Sequence, residues 1–392
     1  MSFVFAVIVA IVTFPAFVFC MEVLAAMTAR WPETLPPKGS IRPRVAVLVP
    51  AHNESIGLRD TVDDIRKQLH SADRVLVVAD NCTDDTATVA RSAGAEVTER
   101  HDTHKIGKGY ALHWGLTYLG ADPPEIVIII DADCRIGSHS LDRLATASAV
   151  TRRPVQALNL MSAPASPIDF RVAEFAFRVR NLARPLGLRA LNLPCQLMGT
   201  GMAFPWELIQ LTDLASGETV EDLKVGLELA RAGYPPIFCP SANVSSQFPL
   251  SIKAAKSQRN RWEQGHLRMI AKKIPHLFYE SLVQRNLYLL VLVIDAAVPP
   301  LTILGSLVSL MLLASGLGFL VGLSSSALII SAASCSAYAI AVVLSWLKFG
   351  RDILPPKSLV SVFSYAIEKL PFYCHMFSKR DSSRWIRTDR GK

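Results

Sequence analysis

Residues 126–134 read IVIIIDADC: five apolar positions, four of them isoleucine, run directly into Asp131-Ala-Asp133. A continuous β-branched run suits a strand buried on both faces, as in a parallel sheet covered by helices. Two carboxylates one residue apart at its carboxyl end can reach one hard cation together. Mg²⁺ and Mn²⁺ usually take only one or two carboxylates alongside substrate phosphates. Taken alone, a DxD pattern is a common surface turn. The β-formers before it, and the groups described next, favour a site for a metal-bound phosphate.

Two more such runs lie upstream, at 45–49 and 75–79, and helix-like stretches occupy 58–69, 84–93 and 108–119. That alternation predicts an α/β domain over 45–266 with a mostly parallel sheet, whose ligand edge lies beyond the carboxyl ends of the strands. The strands end in PAHNE, ADNCTDD and DADC. His52, Asn53 and Glu54 close the first strand, with a plain Asn turn as the bland alternative. Asp80 closes the second and could hold a ribose or base edge, whereas Asp84 and Asp85 read equally well as a helix cap. Gly107-Lys108-Gly109 opens an apolar helix, where backbone amides, the helix dipole and Lys108 could meet a phosphate; an ordinary helix start explains it too. Glu221 and Asp222 begin LKVGLELARAGY, either as dipole-favoured acids or with one carboxylate serving as general base. In the helix-like run 251–273, Gln258, Arg261 and Trp262 share a face. A forked donor beside an aromatic ring suits an anionic leaving group next to a sugar, although a basic helix on lipid headgroups accounts for Lys253, Lys256 and Arg268.

The 392 residues are 51% apolar and only 19% charged. Mean hydropathy is +0.30. This excludes fibrous and disordered classes and argues against a wholly soluble protein. Residues 1–28 predict a retained transmembrane anchor, apolar over 3–27 apart from Thr13 and Glu22; a cleaved signal peptide fits poorly because basic residues follow the run. A linker (29–44) precedes the α/β domain. An interfacial segment is expected at 267–286 and two spans within 287–347, roughly 300–323 and 327–347, the first with a possible start nearer Tyr288. Asp295 is then a residue of the membrane interface or a polar contact inside the bundle. The tail, 348–392, is expected to carry an amphipathic segment at 359–377 that lies on the membrane. The net charge of +8 flanks the apolar tracts, which points to the cytoplasmic face of a membrane and away from nucleic acid. Seven scattered cysteines without a CxxC pair fit a reducing compartment.

The ordered set VPAHNE, ADNCTDD, DADC, VED and QRNRW resembles the family 2 glycosyltransferases, GT-A-fold enzymes that include cellulose, chitin and hyaluronan synthases. The resemblance covers about 45–266. It implies a GT-A fold with flanking transmembrane helices, and an inverting transfer from a nucleotide sugar, UDP-linked by preference, with Mg²⁺ or Mn²⁺ as cofactor. By resemblance Asp80 and Glu54 contact the nucleoside, and His52 and Lys108 complete the nucleotide-sugar site. Asp131 and Asp133 hold the diphosphate, with Asp133 the direct metal ligand. Asp222, chosen over Glu221 on this ground alone, is the general base. Glu221, Gln258, Arg261 and Trp262 line the acceptor and pyrophosphate site. The sequence departs from the large polysaccharide synthases in having three spans and no FxVTxK-like gating segment. The ending at 385–390 is similar to that of smaller bacterial members.

The expected function is therefore transfer to a lipid-linked acceptor at the bacterial inner membrane, with the catalytic domain cytoplasmic, in exopolysaccharide, capsule or related glycan synthesis. A processive synthase, a diacylglycerol glycosyltransferase and a nonenzymatic sugar-nucleotide sensor or polysaccharide-export scaffold are the alternatives.

Overall fold

The computed structural model describes residues 2–30, 42–163, 168–249, 251–323 and 325–358. Eight strands form one sheet: β1 (Val45–Ala51), β2 (Arg74–Asp80), β3 (Glu96–Arg100), β4 (Ile126–Ile129), β5 (Arg135–Ile136), β6 (Val155–Ser162), β7 (Met202–Pro205) and β8 (Ile237–Gln247). Their order is β3-β2-β1-β4-β7-β6-β8-β5. β1 to β4 run parallel, and β6 and β8 share their direction across the reversed β7; β5 is reversed at the far edge. The expected mostly parallel α/β sheet is therefore present. In this order the chain turns back between β1 and β4, the switch point beside which open α/β sheets bind ligands.

The apolar runs follow from burial on both faces. Val45, Val47 and Val49 of β1 pack with Leu58, Val62 and Ile65 of the Leu58–Arg66 helix. Ala46 and Leu48 point the other way, onto Leu112 and Leu116 of the Lys108–Leu119 helix. Two helices are shorter than the 58–69 and 84–93 read from sequence. The first ends at Arg66, and beyond it the Asp73 carboxylate accepts the His70 N–H (2.7 Å) and the Val45 N–H (2.9 Å), drawing the chain back to the sheet. The second spans Thr86–Ser92, because Asp84 turns back to accept the Thr86 N–H at 3.0 Å.

Among the described residues three helices are long and apolar enough to cross a membrane: Ser2–Thr28, Leu301–Leu320 and Ser325–Phe349. Their contacts are partly polar. Ser334 donates to Thr13 Oγ1 at 2.8 Å. Lys348 Nζ meets the Ala26 and Met27 carbonyls at 2.7 and 3.0 Å, where a cation complements the end of the first helix. The tract from Leu287 does not enter the first of the later spans. Leu287–Ala296 is a separate helix whose Leu289, Leu292 and Val293 pack on Leu223 and Leu227, and Pro299-Pro300 breaks the chain after it. The Ile252–Lys272 helix runs past residue 266, since nothing breaks it until Pro275 opens the next helix, Ile274–Val283.

Asp295 is a buried polar contact. The Arg184 guanidinium pairs with it and with Glu22 of the first helix (2.5 Å), tying the apolar helices to the sheet domain. Gly187 makes this approach possible, because a Cβ there would lie 1.8 Å from the Glu22 carbonyl oxygen. The expectations for 359–377 and 385–390, and most of the 29–44 linker, fall outside the described residues.

Candidate active site

The carboxyl ends of β1, β2 and β4 supply one wall of a cleft. Beyond β1, His52 Nδ1 bonds the Asp80 carbonyl at 2.6 Å, while Asn53 takes a left-handed turn and accepts the Thr83 N–H at 2.7 Å. The Glu54 N–H donates to Thr86 Oγ1 at 2.8 Å, so the loops after β1 and β2 are clasped together. Asp80 is buried and paired with Arg100 at 2.6 Å. Burial outweighs that cation and lifts its pKa above the usual carboxylate value. Asp85 is the N-cap residue of the Thr86–Ser92 helix but makes no side-chain cap bond, and it is Asp84, one residue earlier, that accepts the Thr86 N–H.

Beyond β4, charges concentrate around Lys108. Its Nζ lies 2.5 Å from Asp131, 2.6 Å from the Gly199 carbonyl oxygen and 3.6 Å from Glu221. Burial opposes the ammonium charge, but Asp131, Glu221 and Asp222 outweigh it and hold the lysine pKa above its ordinary value. Gly199 has a φ of +86° and Gly201 one of +66°, so the Gly199-Thr200-Gly201 turn takes a shape that suits glycine. Thr200 Oγ1 accepts the Asp131 N–H at 3.0 Å, which fixes the start of the DxD loop.

Glu221 and Asp222 open the Glu221–Arg231 helix, and the Leu223 N–H donates to Asp222 Oδ1 at 2.8 Å. Burial raises both carboxyl pKa values; Lys108 offsets part of this for Glu221, and Arg180 does so for Asp222. A carboxylate whose basicity is raised beside open space is suited to accept a proton.

The opposite wall comes from the Ile252–Lys272 helix, which contributes Gln258, Arg261 and Trp262. Trp262 stacks obliquely on Phe177, with ring centroids 6.3 Å apart. Gln258 is buried, and its Oε1 accepts no hydrogen bond among the described residues.

All eleven residues singled out from the sequence line this one cleft, of about 280 Å³: His52, Glu54, Asp80, Lys108, Asp131, Asp133, Glu221, Asp222, Gln258, Arg261 and Trp262. The sequence reading missed Arg180, Asn181, Asn159 and the Gly199–Thr200 turn, which line it too. The paired glycines of the turn were a usable signal. Arg180 and Asn181 had none, because they sit in a π-helical stretch, Val179–Ala183, which carries no periodic signature.

Among the described residues no group of three or more His, Cys, Asp or Glu side chains could hold a metal ion by itself. Asp131 and Asp133 nevertheless fit a divalent ion that takes two carboxylates and completes its shell with water and phosphate oxygens.

The family described as "Glycosyltransferase like family 2" matches residues 43–265, more than half of the chain. The chain belongs to this family. As a family 2 glycosyltransferase it is 26% identical over 269 residues to the probable glycosyltransferase YdaM of Bacillus subtilis, a match covering 60% of this chain and 58% of YdaM. It is 37% identical over 122 residues to an uncharacterized glycosyltransferase of Mycobacterium bovis, covering 29% of this chain and 51% of the relative. These matches thus span little more than half of each relative's length. Among solved structures, the mannosyltransferase PcManGT of Pyrobaculum calidifontis, in complex with GDP-Man and Mn²⁺, superposes with a TM-score of 0.52 at 20% identity. That superposition covers 89% of this chain and 98% of PcManGT, and it shows a shared GT-A fold.

Proposed function

We propose that this family 2 glycosyltransferase moves a sugar from a nucleotide sugar, UDP-linked by preference, to a hydroxyl of a lipid-linked acceptor, with inversion at the anomeric carbon. The observation that carries the reading is the single cleft that unites Lys108, Asp131 and Asp133 with Asp222, on a domain packed against three helices able to cross a membrane.

In this reading the loops bearing His52, Glu54 and Asp80 hold the nucleoside. Lys108, already poised on Asp131, takes the diphosphate by charge-assisted hydrogen bonding. A divalent ion held by Asp131 and Asp133, Mn²⁺ as in the PcManGT complex or Mg²⁺, would offset charge on the departing diphosphate. Asp222 removes the proton from the acceptor hydroxyl as that oxygen attacks, and burial raises its pKa and with it its basicity. Gln258, Arg261 and Trp262 orient the acceptor sugar and the leaving group, and Glu221 balances Lys108. No catalytic acid is required, because a diphosphate leaves without protonation. The basic flanks of the apolar helices support a cleft on the cytoplasmic face of a bacterial inner membrane, where the product would serve exopolysaccharide or related glycan assembly.

The test incubates membranes containing the chain with radiolabelled UDP-sugars, and with GDP-mannose as the alternative donor. Label extracted into organic solvent is expected; label transferred only to water-soluble product overturns the lipid acceptor.

A further inference from the structure

Beside the main cleft lies a second pocket of about 120 Å³, sharing Phe177, Arg180 and Trp262 with it. Its walls are mostly apolar. Val172 and Ala176 form one side, and Val298, Pro299 and Leu301 form the other, at the foot of the Leu301–Leu320 helix. The pocket therefore joins the reaction cleft to the end of a helix apolar enough to cross a membrane.

Arg180 lines the main cleft, this pocket and a third, small cavity. Among the described residues its guanidinium makes no hydrogen bond or ion pair; it feels Asp222 only at longer range. Its neighbour Arg184 is different, being saturated by Glu22 and Asp295. His266, on the same wall, is bonded to the Ala296 carbonyl at 2.8 Å and is held neutral by burial. A forked cation with unused donors, set between an apolar slot and the reaction cleft, matches a ligand that is anionic where its chain meets its head.

We propose that this pocket is the acceptor's lipid subsite: it takes the apolar chain of a phosphate-linked lipid, with Arg180 as the phosphate contact. The phosphate is held and does not react. The nucleophile is a hydroxyl of the head beyond it, which reaches Asp222 in the main cleft. The inference rests on the glycosyl-transfer reading and names its acceptor as a lipid phosphate or diphosphate carrier, in place of a neutral diacylglycerol or a free sugar.

The test uses the full chain in phosphatidylcholine nanodiscs with a hexadecyl phosphate bearing a diazirine, compared with the matching hexadecanol. Crosslinked segments are mapped by mass spectrometry. The phosphate probe is expected to label segments 172–177 and 298–302 about tenfold more than the alcohol, the worth of one charge-assisted hydrogen bond. Arg180→Gln should abolish that preference. Ala176→Phe should suppress labelling by both probes, with UDP affinity unchanged as evidence of an intact fold. Protection of the same segments by unlabelled hexadecyl phosphate reads the site in the unsubstituted chain. Equal labelling by alcohol and phosphate, or labelling indifferent to Ala176→Phe and to the competitor, overturns the inference. Failure of all sugar transfer with the labelling pattern intact would instead defeat the proposed reaction.

Discussion

Replacing Asp222 by Asn removes the proposed base and almost nothing else. The Leu223 N–H, 2.8 Å from Oδ1, keeps a carbonyl acceptor in the amide, so the first turn of the helix stays capped. The substitution also deletes a charge that burial disfavours and that pushes the neighbouring Glu221 pKa upward. Folding should therefore not suffer. Catalysis should, because a positioned general base contributes roughly 10²–10⁴-fold. We expect kcat to fall by about 10³, which is about 4 kcal/mol of transition-state stabilisation at ~1.36 kcal/mol per decade. The pH profile adds a second readout. The raised pKa of Asp222 means that the unsubstituted enzyme loses activity on acidification at a pH above the usual carboxylate range, and Asp222→Asn should lack that limb. The assay is initial-rate sugar transfer between pH 5 and 9, with UDP binding measured in parallel. A variant that binds UDP normally and turns over within about tenfold of the parent would refute the assignment.

Lys108→Met should weaken UDP binding by about tenfold to a hundredfold in equilibrium titration, since a charge-assisted hydrogen bond is worth about 1.5–3 kcal/mol. Arg184→Met leaves Glu22 and Asp295 buried without their cation and should cost about 3–5 kcal/mol in detergent unfolding experiments. Gly187→Ala sets a methyl group against the Glu22 backbone and should expose the junction between the first helix and the sheet domain to protease. Glu221→Gln should stabilise the fold selectively at high pH. The folded chain holds the Glu221 proton more tightly than the unfolded chain does, so its contribution favours folding at low pH and is lost as pH rises through the raised value. Equal melting gains at pH 5 and pH 8 would contradict that sign.

Strands and carboxylates were legible because burial on both faces of a parallel sheet leaves no polar residue inside Val45–Val49 or Ile126–Ile129, so the first polar groups appear at the ligand edge. Gln258, Arg261 and Trp262 were legible because helical periodicity puts them on one face. Arg180 was not, because its place depends on a π-helical turn and on packing against segments distant in sequence. The ion group of Glu22, Arg184 and Asp295 was half visible. Both acids stood out within apolar tracts, but nothing in the spacing named an arginine 162 residues from one and 111 from the other. Helix ends were misplaced where a single side chain, Asp84 or Asp73, redirected the backbone.

The central claim is that the carboxylates around Lys108 serve a sugar nucleotide's phosphates. A structure of the full chain in lipid nanodiscs, soaked with a nonhydrolysable UDP-sugar and Mn²⁺, tests it most directly. The account predicts the diphosphate beside Lys108, Asp131 and Asp133, with the anomeric carbon facing Asp222. Nucleotide bound elsewhere, or a cleft that stays empty at saturating ligand, would contradict it.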